Sequence, residues 1–359
     1  MLWDLSNNAF GLDISDRALR LVQIKKKGSG LTVSSYNELT LEPGIIDGGE
    51  IIEPEKVSLK IDKLIKEAKG DKIVTKNVIA VLPEQKTFVK MINVANLGGK
   101  KDLADGDVLT EIQNHIPLAI DEIYLDWKIL KQNGSSAQIL AGATPKDISE
   151  SYLKLIKKSG LIPLALEIEA IAIIRSIINE KEQIKSGQNI AKLIIDFGAA
   201  RSGLIVYDQG TVQFTVSLPI SGNKISETIA KTLKIDYKKA DQAKIVCGLD
   251  QKKCEGAILK ILMSSIDNLT THIKKSITYY QSNFPQANPI AEIIICGGGA
   301  NLLDIDKILS TKLKLPATIG NPLTNTAINK KLELDDKKIK SYTTAIGLAL
   351  RAWQKGDIV

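Results

Sequence analysis

Cysteine, histidine and aromatic residues are scarce in this sequence, and each scarcity closes off a class of function. The three cysteines, Cys247, Cys254 and Cys296, form no CxxC pair and are odd in number. That argues against a disulfide framework and a structural zinc site, and reads them as reduced thiols. His115 and His272 have no partners at ligand spacing and read as structural or solvated. Aromatic residues are 4% of the chain, so the net charge of +7 lacks the stacking side chains that accompany a nucleic-acid surface. The lysines fall in short scattered clusters, Lys25-Lys26-Lys27, Lys330-Lys331 and Lys337-Lys338, which describe a solvated basic face. No nucleic-acid partner is expected, and attraction to an anionic membrane surface stays open. Nowhere do about 18 uncharged apolar residues follow one another, and Met1 to Ser6 carries no basic segment ahead of an apolar run. The expected location is the cytoplasm.

What is present is ordinary in bulk and unusual in pattern. With 359 residues, 44% apolar and 25% charged, the chain suits two or more lobes, each able to bury a core. One phrase occurs twice. Phe10-Gly11-Leu12-Asp13-Ile14-Ser15-Asp16-Arg17 leads into Ala18 to Ile24, and Leu193-Ile194-Ile195-Asp196-Phe197-Gly198-Ala199-Ala200-Arg201 leads into Ser202 to Tyr207. Each reads as a buried strand with an Asp at its end, a small-residue turn and a second strand. Such a turn exposes backbone N–H groups in a concavity that suits a phosphate.

Between the two copies the pattern alternates strands and helices. A strand over 31–39 precedes a helix from Pro54 to about Ala68, closed by Gly70. Strands over 78–83 and 87–94, a helix from Val108 closed by Pro117, a hairpin of 124–130 and 137–143 turned at Asn133-Gly134, and a helix over 146–158 read as a small inserted α+β unit. Ala165 to Ile178 reads as one apolar helix, and Ser186 to Asn189 as a boundary. After a strand over 211–218, Gly222 to Phe284 is largely helical. Ile258, Leu262, Ile266, Leu269 and Ile273 form its core stripe.

A third signal, Ala291 to Asn301, is an apolar strand running into Gly297-Gly298-Gly299-Ala300-Asn301. Glycines at a strand-to-helix turn let a ligand approach the backbone, and they also serve merely to turn sharply. In this order the three segments resemble the actin-like ATPase superfamily. Asp13 to Arg17 and Asp196 to Arg201 match its two phosphate hairpins, and Gly297 to Ala300 its adenosine loop. Ala165 to Ile174 and Tyr342 to Arg351 match its two connecting helices. Within that superfamily the chain resembles the PilM family of type IV pilus assembly, through Glu111 to Pro117, Asp121 to Trp127 and Ala345 to Arg351.

The resemblance implies an α/β, two-lobed actin-like fold, a duplicated ribonuclease-H-like core with a small α+β insert in the first lobe. Its expected boundaries are 1–75, 160–190 and 338–359 for the first lobe, 76–159 for the insert, and 191–337 for the second lobe, with a helical subdomain over about 222–287. It implies ATP or ADP with Mg²⁺ held by Asp13 and Asp196 through waters, and phosphates cradled around Ser15, Asp16, Arg17, Gly198, Ala199 and Ala200. Arg201 reaches a phosphate or is solvated. Gly222 and the Gly297 to Asn301 loop flank the nucleoside. Asp241 and Lys244 contact adenine or form a plain surface pair, and Glu169 orients an attacking water or is structural. Ser15 and Ala200-Arg201 depart from the family pattern, which favours nucleotide binding over fast hydrolysis.

The function so implied is a cytoplasmic ATP-binding scaffold at the inner face of the membrane. It would recruit the cytoplasmic tail of a PilN-like protein, with other pilus platform proteins as further partners and an oligomer possible. Two alternatives remain. An FtsA-like division anchor would end in an amphipathic helix, for which the eight residues after Arg351 are too few. An actin-fold kinase would need a general base in the cleft, and Glu169 is the sole candidate.

Overall fold

Two sheets carry the chain, and each grows from one copy of the repeated hairpin. The computed structural model describes residues 9–94, 105–116, 119–133, 136–179, 190–284 and 286–354. The expectations that rest on Met1 to Ser6, Pro117, Gly134, Ser186 to Asn189 and the last five residues lie outside these.

In the first sheet, β1 (Phe10–Ile14) is buried along its length and pairs antiparallel with β2 (Ala18–Lys27), Asp13 opposite Arg20. β3 (Gly30–Thr40) follows on one side. On the other, β4 (Asn77–Leu82) runs parallel to β1, and β8 (Ile162–Ile168) runs parallel to β4 at the edge. The second sheet repeats this plan. β9 (Ala191–Phe197) pairs antiparallel with β10 (Ser202–Asp208), β11 (Thr211–Leu218) follows, and β12 (Ile290–Cys296) runs parallel to β9. The sequence repeat is thus a repeat of topology.

Helices cover both faces of each sheet. α1 (Pro54–Lys66) and α3 (Lys146–Lys158) bury Val57, Ile61, Leu64, Tyr152 and Ile156 against Leu12, Leu19 and Leu21. α5 (Gly222–Leu233), α6 (Tyr237–Cys247) and α7 (Ala257–Asn283) cover the second sheet, with the stripe from Ile258 to Ile273 in its core. The remaining faces meet through two helices. α4 (Glu169–Ile177) lays Ile171, Ile173 and Ile174 on Ile194, Ile205 and Cys296 of the second sheet. α9 (Thr343–Arg351) lays Ala345, Ile346 and Ala349 on Val22 and Tyr36 of the first. The two helices cross at Gly347, where a Cβ would run into the backbone carbonyl of Ala172. Beside the crossing, buried Glu167 accepts two hydrogen bonds of 2.6 Å from Arg175 and one of 2.8 Å from Arg351, so β8, α4 and α9 share one ion cluster.

The pairing moves four expected boundaries. β4 and α3 belong to the first sheet and its core, so only residues between them form the insert. There α2 (Asp105–Gln113) packs Val108 and Ile112 on the hairpin of β6 (Ile123–Asn133) and β7 (Ser136–Pro145). β5 (Phe88–Val94) joins that hairpin to the second sheet through a single register pair, Phe214 with Lys90. Residues 162–168 form a strand, because a short apolar run does not separate helix from strand by period, and Pro163 resists the helix. Ala327–Ile328 pairs with β3, placing that stretch with the first lobe instead of the second. Cys247 and Cys254 are not reduced thiols but a disulfide, their Cα atoms 5.8 Å apart; an odd count hides a pair brought together by one turn. Cys296 is free and buried.

An exposed helical glycine changed to alanine ordinarily stabilises by about 1 kcal/mol. Gly347→Ala should do the reverse, destabilising by about 1–3 kcal/mol or more and lowering the urea midpoint accordingly. Gly298→Ala, which meets only Ser341 at 3.9 Å, should leave it within error.

Candidate functional site

Four acids sit at the carboxyl ends of strands and point at one volume. Asp13 lies near the end of β1, Asp196 near the end of β9, and Glu84 and Glu169 just beyond β4 and β8. Ligands of open α/β sheets bind at this edge. All four line a cavity of about 970 Å³ between the lobes, together with both hairpin turns, the start of α5, one side of α6 and the glycine loop.

The first turn is closed by its own residues. The backbone N–H and the hydroxyl of Ser15 both donate to the Ala18 carbonyl, at 3.1 and 3.0 Å. The expected phosphate donor at Ser15 is therefore committed to the hairpin. Asp16 accepts from the Gly49 backbone at 3.0 Å and from Arg201 Nη2, across the cleft, at 3.2 Å. Arg201 is neither solvated nor free: it latches one turn to the other, and its Nη1 is buried without an acceptor. In the second turn the carbonyls of Gly198 and Ala199 accept from Gly222 and Asn223, at 3.0 and 2.8 Å, which docks the turn on the start of α5.

The acids raise one another. Burial holds the Asp13 carboxyl above its ordinary range despite Arg20, which donates to Oδ2 at 3.2 Å; Oδ1 is buried with no partner. Burial, then the charges of Asp13 and Glu84, push Asp196 up to about 7. Burial followed by Asp196 and Asp13 lifts Glu169 well above the carboxylate range, and its Oε1 accepts from Thr344 at 3.2 Å. Burial raises Glu84. Among the described residues no three acidic, histidine or cysteine side chains converge closely enough to ligate an ion directly.

At the far end Asp241 and Lys244 bond each other at 2.6 Å, and Lys244 also donates to Ser226 and to the Gly222 carbonyl. Although burial opposes its charge, hydrogen bonds from Lys244 and Ser226 hold Asp241 below its ordinary value. Gly297, at φ 76°, and Gly299 have their Cβ positions filled by Asp196 and the Phe197 ring, so protein packing explains both. At Gly298 a Cβ would meet only the Ser341 side chain, at 3.9 Å. Asn301 ties the loop to the Lys337 carbonyl at 2.8 Å. Ala300 alone among the expected residues misses the cavity; it is buried in the second-lobe core. His115 and His272 lie outside it.

Sequence reasoning missed Glu84, Arg20 and the wall formed by Lys337, Lys338 and Ser341. Glu84 had a signal: an acid two residues after the fully apolar Val78 to Leu82, just past the end of its strand. Arg20 was legible only as the cross-strand partner of Asp13. The lysines precede α9, and their cluster reads from sequence only as a solvated basic face.

A family model described as type IV pilus assembly protein PilM matches residues 11–353. A solved PilM–PilN type IV pilus biogenesis complex superposes with a TM-score of 0.80 at 22% identity, covering 97% of this chain and 99% of that one. MreB5 of Spiroplasma citri bound to ADP superposes at 0.53 with 13% identity, covering 95% and 94%. The cell division protein FtsA of Neisseria meningitidis is 20% identical over 318 residues, 83% of this chain and 67% of that protein. FtsA of Pseudomonas aeruginosa is 20% identical over 228 residues, 58% and 52% respectively, so the chain spans between half and two thirds of these relatives.

An Asp whose folded value lies near 7 keeps a proton that the unfolded chain releases near 3.8. Its stabilising contribution is complete below about pH 4 and is lost as pH rises towards 7. In chelator-containing buffer the wild type should melt several degrees lower at pH 8 than at pH 5.5, and Asp196→Asn should flatten that slope and melt higher than wild type at pH 8. Parallel profiles would reject the shared-volume reading.

Proposed function

The chain belongs to the type IV pilus assembly protein PilM family, and from that premise we propose that it is a nucleotide-binding adaptor of the pilus machinery, holding Mg²⁺ with ATP or ADP in the cleft and the tail of a PilN-like membrane protein beside the insert. The observation that carries the nucleotide half is the pair Asp13 and Asp196, one at the end of each duplicated strand, buried, mutually raised and with Asp13 Oδ1 unpartnered. A cation between two such acids favours their joint ionisation. They are too few for a direct cage, which suits Mg²⁺ retaining its waters. When bound, the ion would neutralise phosphate charge. The glycine loop at Gly298, and Asp241 with Lys244, would border the nucleoside. Ser15 is spent on its own hairpin and Arg201 Nη2 on Asp16, leaving Nη1 to meet a phosphate, so binding with slow or no hydrolysis is the reading.

For the peptide half, β8 is an edge strand with Ile162 and Leu164 exposed. The insert comes close to it: a Cβ on Gly142 of β7 would lie 2.9 Å from Ile168. An open edge flanked by apolar side chains accepts an extended peptide as an added strand. The adaptor would work at the cytoplasmic face, tethered through that tail; among the described residues no helix is long and apolar enough to cross a membrane.

Isothermal titration should show Mg²⁺-dependent ATP binding, weakened at least about tenfold by Asp13→Asn, since a lost charge-assisted contact costs about 1.5–3 kcal/mol. Ile162→Glu with Leu164→Glu should abolish capture of the tail peptide while nucleotide affinity holds. A wild-type protein that captures no tail peptide with or without ATP, or that pellets with lipid vesicles on its own, would favour an FtsA-like anchor instead.

A further inference from the structure

The cavity wall formed by α6 ends in a covalent tie that the proposed function does not use. Cys247, the last residue of α6, is buried, whereas its partner Cys254 is an exposed residue, so the disulfide sits at the surface. The eight-residue ring they close touches the cleft at both ends. Val246, beside Cys247, and Lys253, beside Cys254, both line the cavity. Within the ring, Leu249 donates to the Leu303 carbonyl at 2.9 Å, and Gly248 packs so closely on Leu303 that a Cβ would lie 2.8 Å from its nitrogen. Leu303 is itself a cavity residue, at the exit of the glycine loop. The backbone leaving the ring is held in the left-handed region at Cys254, Glu255 and Gly256, with φ of 49°, 52° and 71°. Two of these three residues are not glycine, and such residues seldom stay there without restraint.

We propose that Cys247–Cys254 is a thiol–disulfide exchange site, taking a small thiol or a dithiol protein as co-reactant, and that its state sets the cleft wall around Val246 and Lys253. A thiolate attacks Cys254 Sγ; the bond to Cys247 Sγ breaks, and Cys247 leaves as a thiolate that takes a proton from water. A second thiolate then attacks the outer sulfur of the mixed disulfide and releases Cys254. The protein disulfide gains two electrons and two protons, and two external thiols become one external disulfide. Exposed disulfides are the labile, exchange-active kind wherever thiols are present. With the bond open, residues 254–256 are released from the left-handed run and Lys253 from its fixed place. The effect on nucleotide affinity rests on the function proposed above; the exchange does not.

The test uses the full wild-type chain, oxidised or equilibrated with reduced glutathione, with free thiols alkylated and located by mass spectrometry. Without reductant, Cys247 and Cys254 should resist alkylation; with millimolar glutathione both should become labelled. Limited trypsin should cut after Lys252 and Lys253 several-fold faster in the reduced form, and the Cys247→Ser, Cys254→Ser variant should match that form without reductant. Full labelling of both cysteines before reduction, or equal cutting of the two forms, overturns the site. ADP affinity should differ about fivefold between the forms. Equal, measurable affinity overturns the coupling to the cleft. Absence of binding in both forms rejects the nucleotide reading, and the labelling and cutting still decide the exchange site.

Discussion

Everything in the cleft depends on the crossing of α4 and α9. Each helix is packed on a different sheet, so their contact is what fixes one hairpin opposite the other. The approach is possible because Gly347 has no side chain, and it is secured by Glu167 between Arg175 and Arg351. A buried carboxylate held by two guanidiniums is costly to leave half-made, on the order of 3–5 kcal/mol for a removed partner. The cluster therefore ties the joint to one arrangement more than it adds stability.

Given that joint, the chemistry follows from chain direction. Strands of both sheets point their carboxyl ends at the same gap, and an acid at each end makes a volume of concentrated negative charge. Such a volume is unfavourable when empty and ionised, is relieved by protonation, and is favourable around a cation. Arg201 relieves part of the charge by crossing to Asp16, and Arg20 shares itself between Asp13 and Glu38. The two arginines hold the acids in place while leaving Asp13 Oδ1 and Arg201 Nη1 without partners.

The duplicated hairpins and the glycine loop were legible in the sequence because their signals are local: an apolar run, an acid, small residues. Nearly all the residues expected from them do line the cavity. What was not legible depended on pairing. Residues 162–168 are apolar enough for either a helix or a strand, and only a place beside β4 decides it. Ala300 sits in the same glycine-rich phrase as Gly298, yet one short helical turn directs it to the core. Cys247 and Cys254 looked inert by count, and their meeting depends on the turns between them, where Asp250 donates to the Cys247 carbonyl and Lys253 to that of Asp250.

The insert is covalently part of the first lobe, yet its strand β5 is hydrogen-bonded to β11 of the second, where Lys90 also donates to Tyr279 on α7 at 3.0 Å. It bridges the two lobes, as the joint does. Any spreading of the lobes must work against that narrow seam, and any grip on the insert must resist or assist the spreading. By thermodynamic reciprocity, whatever factor an occupant of the cleft applies to a partner on the insert, the partner returns in full.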